Sequence, residues 1–198
     1  MKKRICILYI DDDPSNLVTF KANFRKFFDI YTATSAEEGM NILDEVEIPV
    51  VIADQKMPGT TGIQFFQHLS DNTSHKPIKI ILTGYADLSS AIDAINKGQV
   101  YKYIQKPWDE NEIRLAIKDG AILYEETIEK ERALGELVDK VNKDLKAPLT
   151  ALAGVVDLAK KDSRDLFFVK SYLNFMSESI GSINYKLKNI VEGQNENK

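Results

Sequence analysis

At 198 residues the chain has room for one domain of ordinary size and a smaller second unit, and 43% apolar with 28% charged residues is a globular balance. Lys and Arg number 14 against 17 acids up to Gly120 and 12 against 13 beyond it, with no basic stripe, which argues against a nucleic-acid partner. Apolar runs such as Ile5–Ile10 are too short to insert in a membrane, no signal peptide is recognisable, and a lone Cys6 supports no disulfide framework, so a cytoplasmic protein is expected.

Up to Gly120 the hydrophobic pattern alternates between two periods. Ile5 to Ile10 is a continuous apolar run, as in a strand buried on both faces. Pro14 opens a helix in which Leu17, Phe20, Phe24 and Phe27 recur at helical spacing. Ile30–Ala33 reads as a strand, Ala36–Val46 as a helix, and Val50–Ala53 as a strand ending at Asp54. Gly62–Leu69 is helical in pattern, and Ile78–Leu82 is a strand ending at Thr83. Leu88–Ile95 reads as a helix closed by Gly98, Val100–Gln105 as a strand ending at Lys106, and a last helix starts near Asp109. This alternation predicts an α/β fold, with a five-stranded parallel sheet and helices on both faces.

Beyond that point the chain changes character. Leu134, Val138, Val141, Leu145, Leu149, Leu152, Val156 and Ala159 form an apolar seam with one extra residue near Pro148. Lys161-Asp162-Ser163 makes a turn, and a second seam runs from Leu166 through Leu173 and Ile180 to Ile190. A helical hairpin buries such seams poorly alone, so two copies are expected to pair into a four-helix bundle, a homodimer through residues 134–190. The competing arrangement folds the hairpin back onto its own first domain. The expected domains are 1–121 and 122–198, the latter a connecting helix and an all-α hairpin.

In an open parallel sheet, ligands bind at the carboxyl ends of strands where the strand order reverses. Those ends carry Asp11 and Asp12, Asp54, Thr83 and Lys106, from segments far apart in sequence. Carboxylates about 4 Å apart repel by about 4 kcal/mol in a surface-like dielectric. Such a cluster needs a bound cation or one protonated member. A few hard oxygen ligands suit Mg²⁺, which keeps its own waters and takes phosphate oxygens. Nucleophilic carboxylate, metal, ammonium and hydroxyl together make a phosphoryl-transfer site; the bland alternative is a solvated acidic edge beside a surface lysine.

The motifs Ile10-Asp11-Asp12-Asp13-Pro14, Asp54 through Gly62, Leu82-Thr83-Gly84-Tyr85-Ala86 and Lys106-Pro107 resemble the receiver domain of bacterial two-component response regulators. That resemblance implies a flavodoxin-like sheet in the order 2-1-3-4-5. It implies phosphorylation of Asp54 by the phosphohistidine of a cognate histidine kinase or phosphotransfer protein. Asp12 and Asp54 would ligate Mg²⁺ directly, Asp11 through water, and Lys56 through its backbone carbonyl. Lys106 would contact the phosphoryl oxygens and Thr83 would move onto them. Tyr103 matches the switch aromatic, facing the helix at Leu88–Ile95. A cation at Lys56 is atypical of the family.

Lys143 through Leu152 resembles the first-helix box of a histidine-kinase dimerisation and phosphotransfer domain, in which the phosphorylated histidine stands five residues before the proline. Here that position is Lys143, and the chain's two histidines, His68 and His75, lie elsewhere. The expected function is a response regulator signalling through a degenerate dimerisation hairpin, with receiver-type self-phosphorylation and dephosphorylation as its only chemistry. A phosphate sink or adaptor for a shared kinase, or a fragment of a hybrid histidine kinase or phosphotransferase, are the alternatives.

Overall fold

The computed structural model describes residues 4–72, 76–84 and 100–161, with isolated helical positions from 170 to 185. Strands β1 (Ile5–Ile10), β2 (Phe28–Ala33), β3 (Val50–Asp54), β4 (Ile78–Thr83) and β5 (Lys102–Gln105) form one parallel sheet, ordered β2-β1-β3-β4-β5. The apolar runs become central strands because both faces are covered. Ile7, Tyr9, Ile52 and Leu82 point into one cluster, with Phe20 and Phe24. Leu8, Ile10, Ala53 and Ile81 point into the other, with Phe65 and Phe66. Alternate residues thus serve opposite cores, and most positions in the middle strands are apolar.

Helices α1 (Pro14–Phe24), α2 (Ala36–Glu45), α3 (Gly62–Asn72) and α4 (Glu110–Lys161) each begin at a side chain able to satisfy free backbone N–H groups. Asp13 accepts from the Ser15 amide at 2.8 Å, with Pro14 in the first turn. Ser35 accepts from Glu38 N while Glu38 reaches back to Thr34 N at 2.7 Å, a capping box, here shifted by one residue. Thr61 and Gln64 repeat the device at α3. Asp109 accepts from the amides of Asn111 and Glu112 at α4.

The strands differ from the sequence expectation at their starts. β2 begins at Phe28 and not Ile30, because Phe28 pairs with Ile5 of β1. β5 begins at Lys102 and not Val100, where pairing with Ile80 starts. The helix expected at Leu88–Ile95, the turn at Asp162–Ser163, and the second seam apart from Ile180 lie outside the described residues. The chain divides into two compact units, Met1–Glu129 and Lys130–Lys198, with the division inside α4. Within the first unit, Ile113, Ala116, Ile117 and Ala121 of α4 enter the core, and the Tyr124 hydroxyl donates to Glu47 Oε1 at 3.0 Å. No helix among the described residues is long and apolar enough to cross a membrane.

Candidate functional site

The chain leaves β1 toward β2 on one side and returns to β3 on the other, so the strand order reverses between β1 and β3. A crevice opens at their carboxyl ends. Asp54 is the last residue of β3 and Asp11 directly follows β1; since Ile10 pairs with Ala53, the two aspartates are neighbours. Both are nearly out of solvent, at 7% and 1% exposure. Thr83 ends β4, fully buried, and Lys106 follows β5, its amide donating to Thr83 O at 2.8 Å.

Lys106 organises the crevice. Its Nζ lies 2.5 Å from Asp54 Oδ1 and 2.9 Å from Asp11 Oδ2. The ammonium therefore occupies the position where two buried carboxylates would otherwise repel. The other oxygen of Asp54, Oδ2, accepts from the Lys56 amide at 2.7 Å. Asp11 is more heavily engaged. Its Oδ1 accepts from the Asp13 amide at 3.0 Å and from Asn16 Nδ2 at 2.9 Å. Its Oδ2 accepts from the Tyr9 hydroxyl at 2.5 Å and from Lys106.

The two carboxyls are driven in opposite directions. Burial pushes the Asp54 pKa up, and the opposing contacts from Lys106 and the Lys56 amide do not cancel it. Burial pushes on Asp11 in the same sense, but the hydrogen bonds from Tyr9, Asn16, Lys106 and the Asp13 amide together hold its pKa below the usual carboxylate range. Burial works against the Lys106 ammonium too, and its hydrogen bonds to Asp54 and Asp11 still leave its pKa raised. Asp11 thus meets four donor groups that favour its anion, while Asp54 meets two and is the carboxylate with more acceptor capacity to spare.

Sequence-predicted residues fall into two groups. Asp11, Asp54 and Lys106 come together in direct contact. Asp12 lies exposed in the turn between β1 and α1, and Lys56 is likewise exposed. Among the described residues no group of three His, Cys, Asp or Glu is disposed as a ready metal cage. The arrangement places Lys106 between two of the three acids expected to cluster. The donor chemistry nonetheless fits Mg²⁺, which needs only one or two carboxylates: Asp54 has lone pairs to spare and Asp12 faces solvent. The Thr83 hydroxyl donates to Gly84 O at 3.1 Å. Tyr103 is half-buried against the Leu8–Phe65 cluster, and the helix it was expected to face lies outside the described residues.

Backbone geometry holds the loop after Asp54 tight. Gly59 adopts φ of 79°, in the left-handed region that favours glycine. A Cβ on Gly62 would lie 2.5 Å from Asp54 O and 2.8 Å from Ile81 Cδ1, so α3 starts against the end of β3 only because residue 62 has no side chain. Tyr9 and Asn16 are site residues that motif reading passed over. The signal for Tyr9 was present: it precedes Asp11 by two in an extended segment, so both side chains fall on the same face.

Residues 7–118, more than half of the chain, match the response regulator receiver domain family. The chain is 29% identical over 106 residues to the hydrogenase transcriptional regulatory protein HoxA of Cupriavidus necator, covering 54% of this chain and 22% of HoxA. It is 28% identical over 165 residues to the heme response regulator HssR of Staphylococcus epidermidis, covering 83% of this chain and 71% of HssR. The chain thus spans under a quarter of HoxA's length. A solved structure titled as adenylate cyclase from Rhodopirellula baltica superposes with a TM-score of 0.64 at 31% identity, covering 67% of this chain and 98% of that one. Sheet order and sequence agree, and the chain belongs to the response regulator receiver domains, a family of phosphorelay signalling modules and not of classical enzymes.

Proposed function

We propose that Asp54 accepts a phosphoryl group from a phosphohistidine on a partner kinase or phosphotransfer protein, and that the chain works as a switch set by that modification. The observation carrying this reading is the single ammonium of Lys106 held between Asp54 and Asp11 at the topological switch point. An Asp54 oxygen forms the new O–P bond as the N–P bond of the phosphohistidine breaks, and the bonding pair stays on the imidazole nitrogen, which takes up a proton. Lys106 follows the phosphoryl oxygens, and the Thr83 hydroxyl rotates from Gly84 O toward them. Asp54 and Asp12, Asp11 through water, and the Lys56 carbonyl would hold Mg²⁺. When bound, the ion offsets the charge on the phosphoryl oxygens. Tyr103 carries the change outward.

The output in this reading is the segment 122–198, following a receiver of residues 1–121. Exposed Leu134, Val138, Leu149 and Val156 on α4 supply an apolar seam for a second copy, with pairing over residues 134–190. Lys143 stands exposed on α4 and has no imidazole nitrogen to carry a phosphohistidine, so the hairpin pairs without relaying phosphate.

Acetyl phosphate with Mg²⁺ tests the site. Wild-type protein takes up one hydroxylamine-labile label, and Asp54→Asn takes up none. Label surviving hydroxylamine, or persisting in Asp54→Asn, defeats this reading.

A further inference from the structure

The Tyr9 side chain is built into the site and has no part in the chemistry described so far. Its ring is fully buried in the core, with its centroid 4.3 Å from that of Phe20. Its hydroxyl is the one polar atom that this strand sends into that core, and it donates to Asp11 Oδ2 at 2.5 Å. The same oxygen accepts from Lys106 Nζ at 2.9 Å, and Lys106 reaches Asp54 Oδ1 at 2.5 Å. A continuous path therefore runs from a core hydroxyl through one carboxylate and one ammonium to the phosphoacceptor. Trp108 lies at the far side of this path: Lys106 Nζ is 5.8 Å from its ring centroid, and the ring meets Phe20 edge-on at 6.3 Å.

We infer that Tyr9 is a positioning residue for phosphoryl transfer, which sets how Lys106 is shared between Asp11 and Asp54 by occupying part of the acceptor capacity of Asp11 Oδ2. This rests on the phosphoacceptor reading of Asp54. A carboxylate oxygen offers about two lone-pair directions, and two donors competing for one oxygen each bind it less tightly. With the hydroxyl present, Asp11 holds the ammonium weakly enough to leave it on Asp54, where it meets the incoming phosphoryl oxygens. Without the hydroxyl, Asp11 Oδ2 draws Lys106 toward itself and away from Asp54. Asn16 acts on the same carboxylate from the solvent side, donating through Nδ2 to Oδ1 at 2.9 Å and Oδ2 at 3.1 Å. The core thereby tunes the site without touching substrate.

Tyr9→Phe removes the hydroxyl and keeps the ring in its place beside Phe20. The full chain is labelled on Asp54 with acetyl phosphate, the acyl C–O–P linkage breaking at phosphorus so that acetate leaves. The expected result is a maximal labelling rate about three- to tenfold lower, the size of one typical net hydrogen bond. The half-saturating donor concentration stays the same, because no donor contact is lost. The emission of Trp108, the single tryptophan, shifts in metal-free protein as Lys106 moves, a change that loss of packing with an unaltered unfolding midpoint does not produce. Should Tyr9→Phe not fold, Asn16→Ala on the solvent side carries the same test, with the same direction in rate and emission. A wild-type protein that takes no label refutes the phosphoacceptor reading and this inference with it. A wild-type protein that labels, beside a folded variant of unchanged rate and emission, overturns the role of Tyr9 alone.

Discussion

Replacing Lys106 by Met keeps the length of the side chain and removes its charge. Since Lys106 Nζ touches Asp54 Oδ1 at 2.5 Å and Asp11 Oδ2 at 2.9 Å, those two oxygens are no more than 5.4 Å apart. Two full charges at that separation repel by about 3 kcal/mol at an effective dielectric of 20. The variant is therefore expected to lose about 2–3 kcal/mol of stability near neutral pH in metal-free buffer, with the loss capped by protonation of one carboxyl. Asp54 is the one that protonates, because burial already raises its pKa while the hydrogen bonds of Asp11 hold that carboxyl below its ordinary range. Removing Lys106 raises Asp54 further, so between the unfolded carboxylate value and the new folded one the native state binds more protons than the unfolded chain. Stability of the variant then falls as pH rises through that window, and the deficit relative to wild type shrinks toward pH about 4. Wild-type protein keeps the Lys106 contribution throughout, since a raised ammonium pKa is lost only at alkaline pH. Urea unfolding followed by Trp108 emission reads the first unit directly, because that ring packs against its core. An equal deficit at acid and neutral pH, or none at either, refutes the idea that Lys106 relieves carboxylate repulsion.

The remaining expectations concern metal, loop and assembly. Titrating Mg²⁺ should change Trp108 emission through displacement of Lys106, 5.8 Å from the ring, and Asp12→Ala should weaken the response at least tenfold; an unchanged affinity removes Asp12 from the ligand set. Gly62→Ala forces a methyl to within 2.5 Å of Asp54 O, so it should cost about 1–3 kcal/mol in urea unfolding and slow labelling of Asp54; a neutral variant means the loop yields freely. The full chain should scatter light as a dimer at micromolar concentration while a chain ending near Glu125 scatters as a monomer, and a monomeric full chain contradicts pairing through the Leu134–Val156 seam.

What the sequence by itself determined was the order of elements and the residues at the strand ends. Ile5–Ile10 and Val50–Ala53 can be read as central strands because only burial on both faces tolerates unbroken apolar runs. Asp11, Asp54, Thr83 and Lys106 were legible as well, since each stands where a predicted strand stops. Helix starts were equally local, at Asp13-Pro14 and near Asp109, because a cap is decided within a few residues. The starts of β2 and β5 were not legible, for a strand extends as far as its neighbour offers partners, and the partners of Phe28 and Lys102 are distant in sequence. The division of labour among the acids was decided only in three dimensions. Asp11 and Asp12 are chemically identical neighbours, yet the pleat sends Asp11 inward to Tyr9, Asn16 and Lys106 while Asp12 remains in solvent. Composition cannot distinguish them; the number of donors each carboxylate meets does, and that number depends on α1, β1 and β5 converging at the same edge.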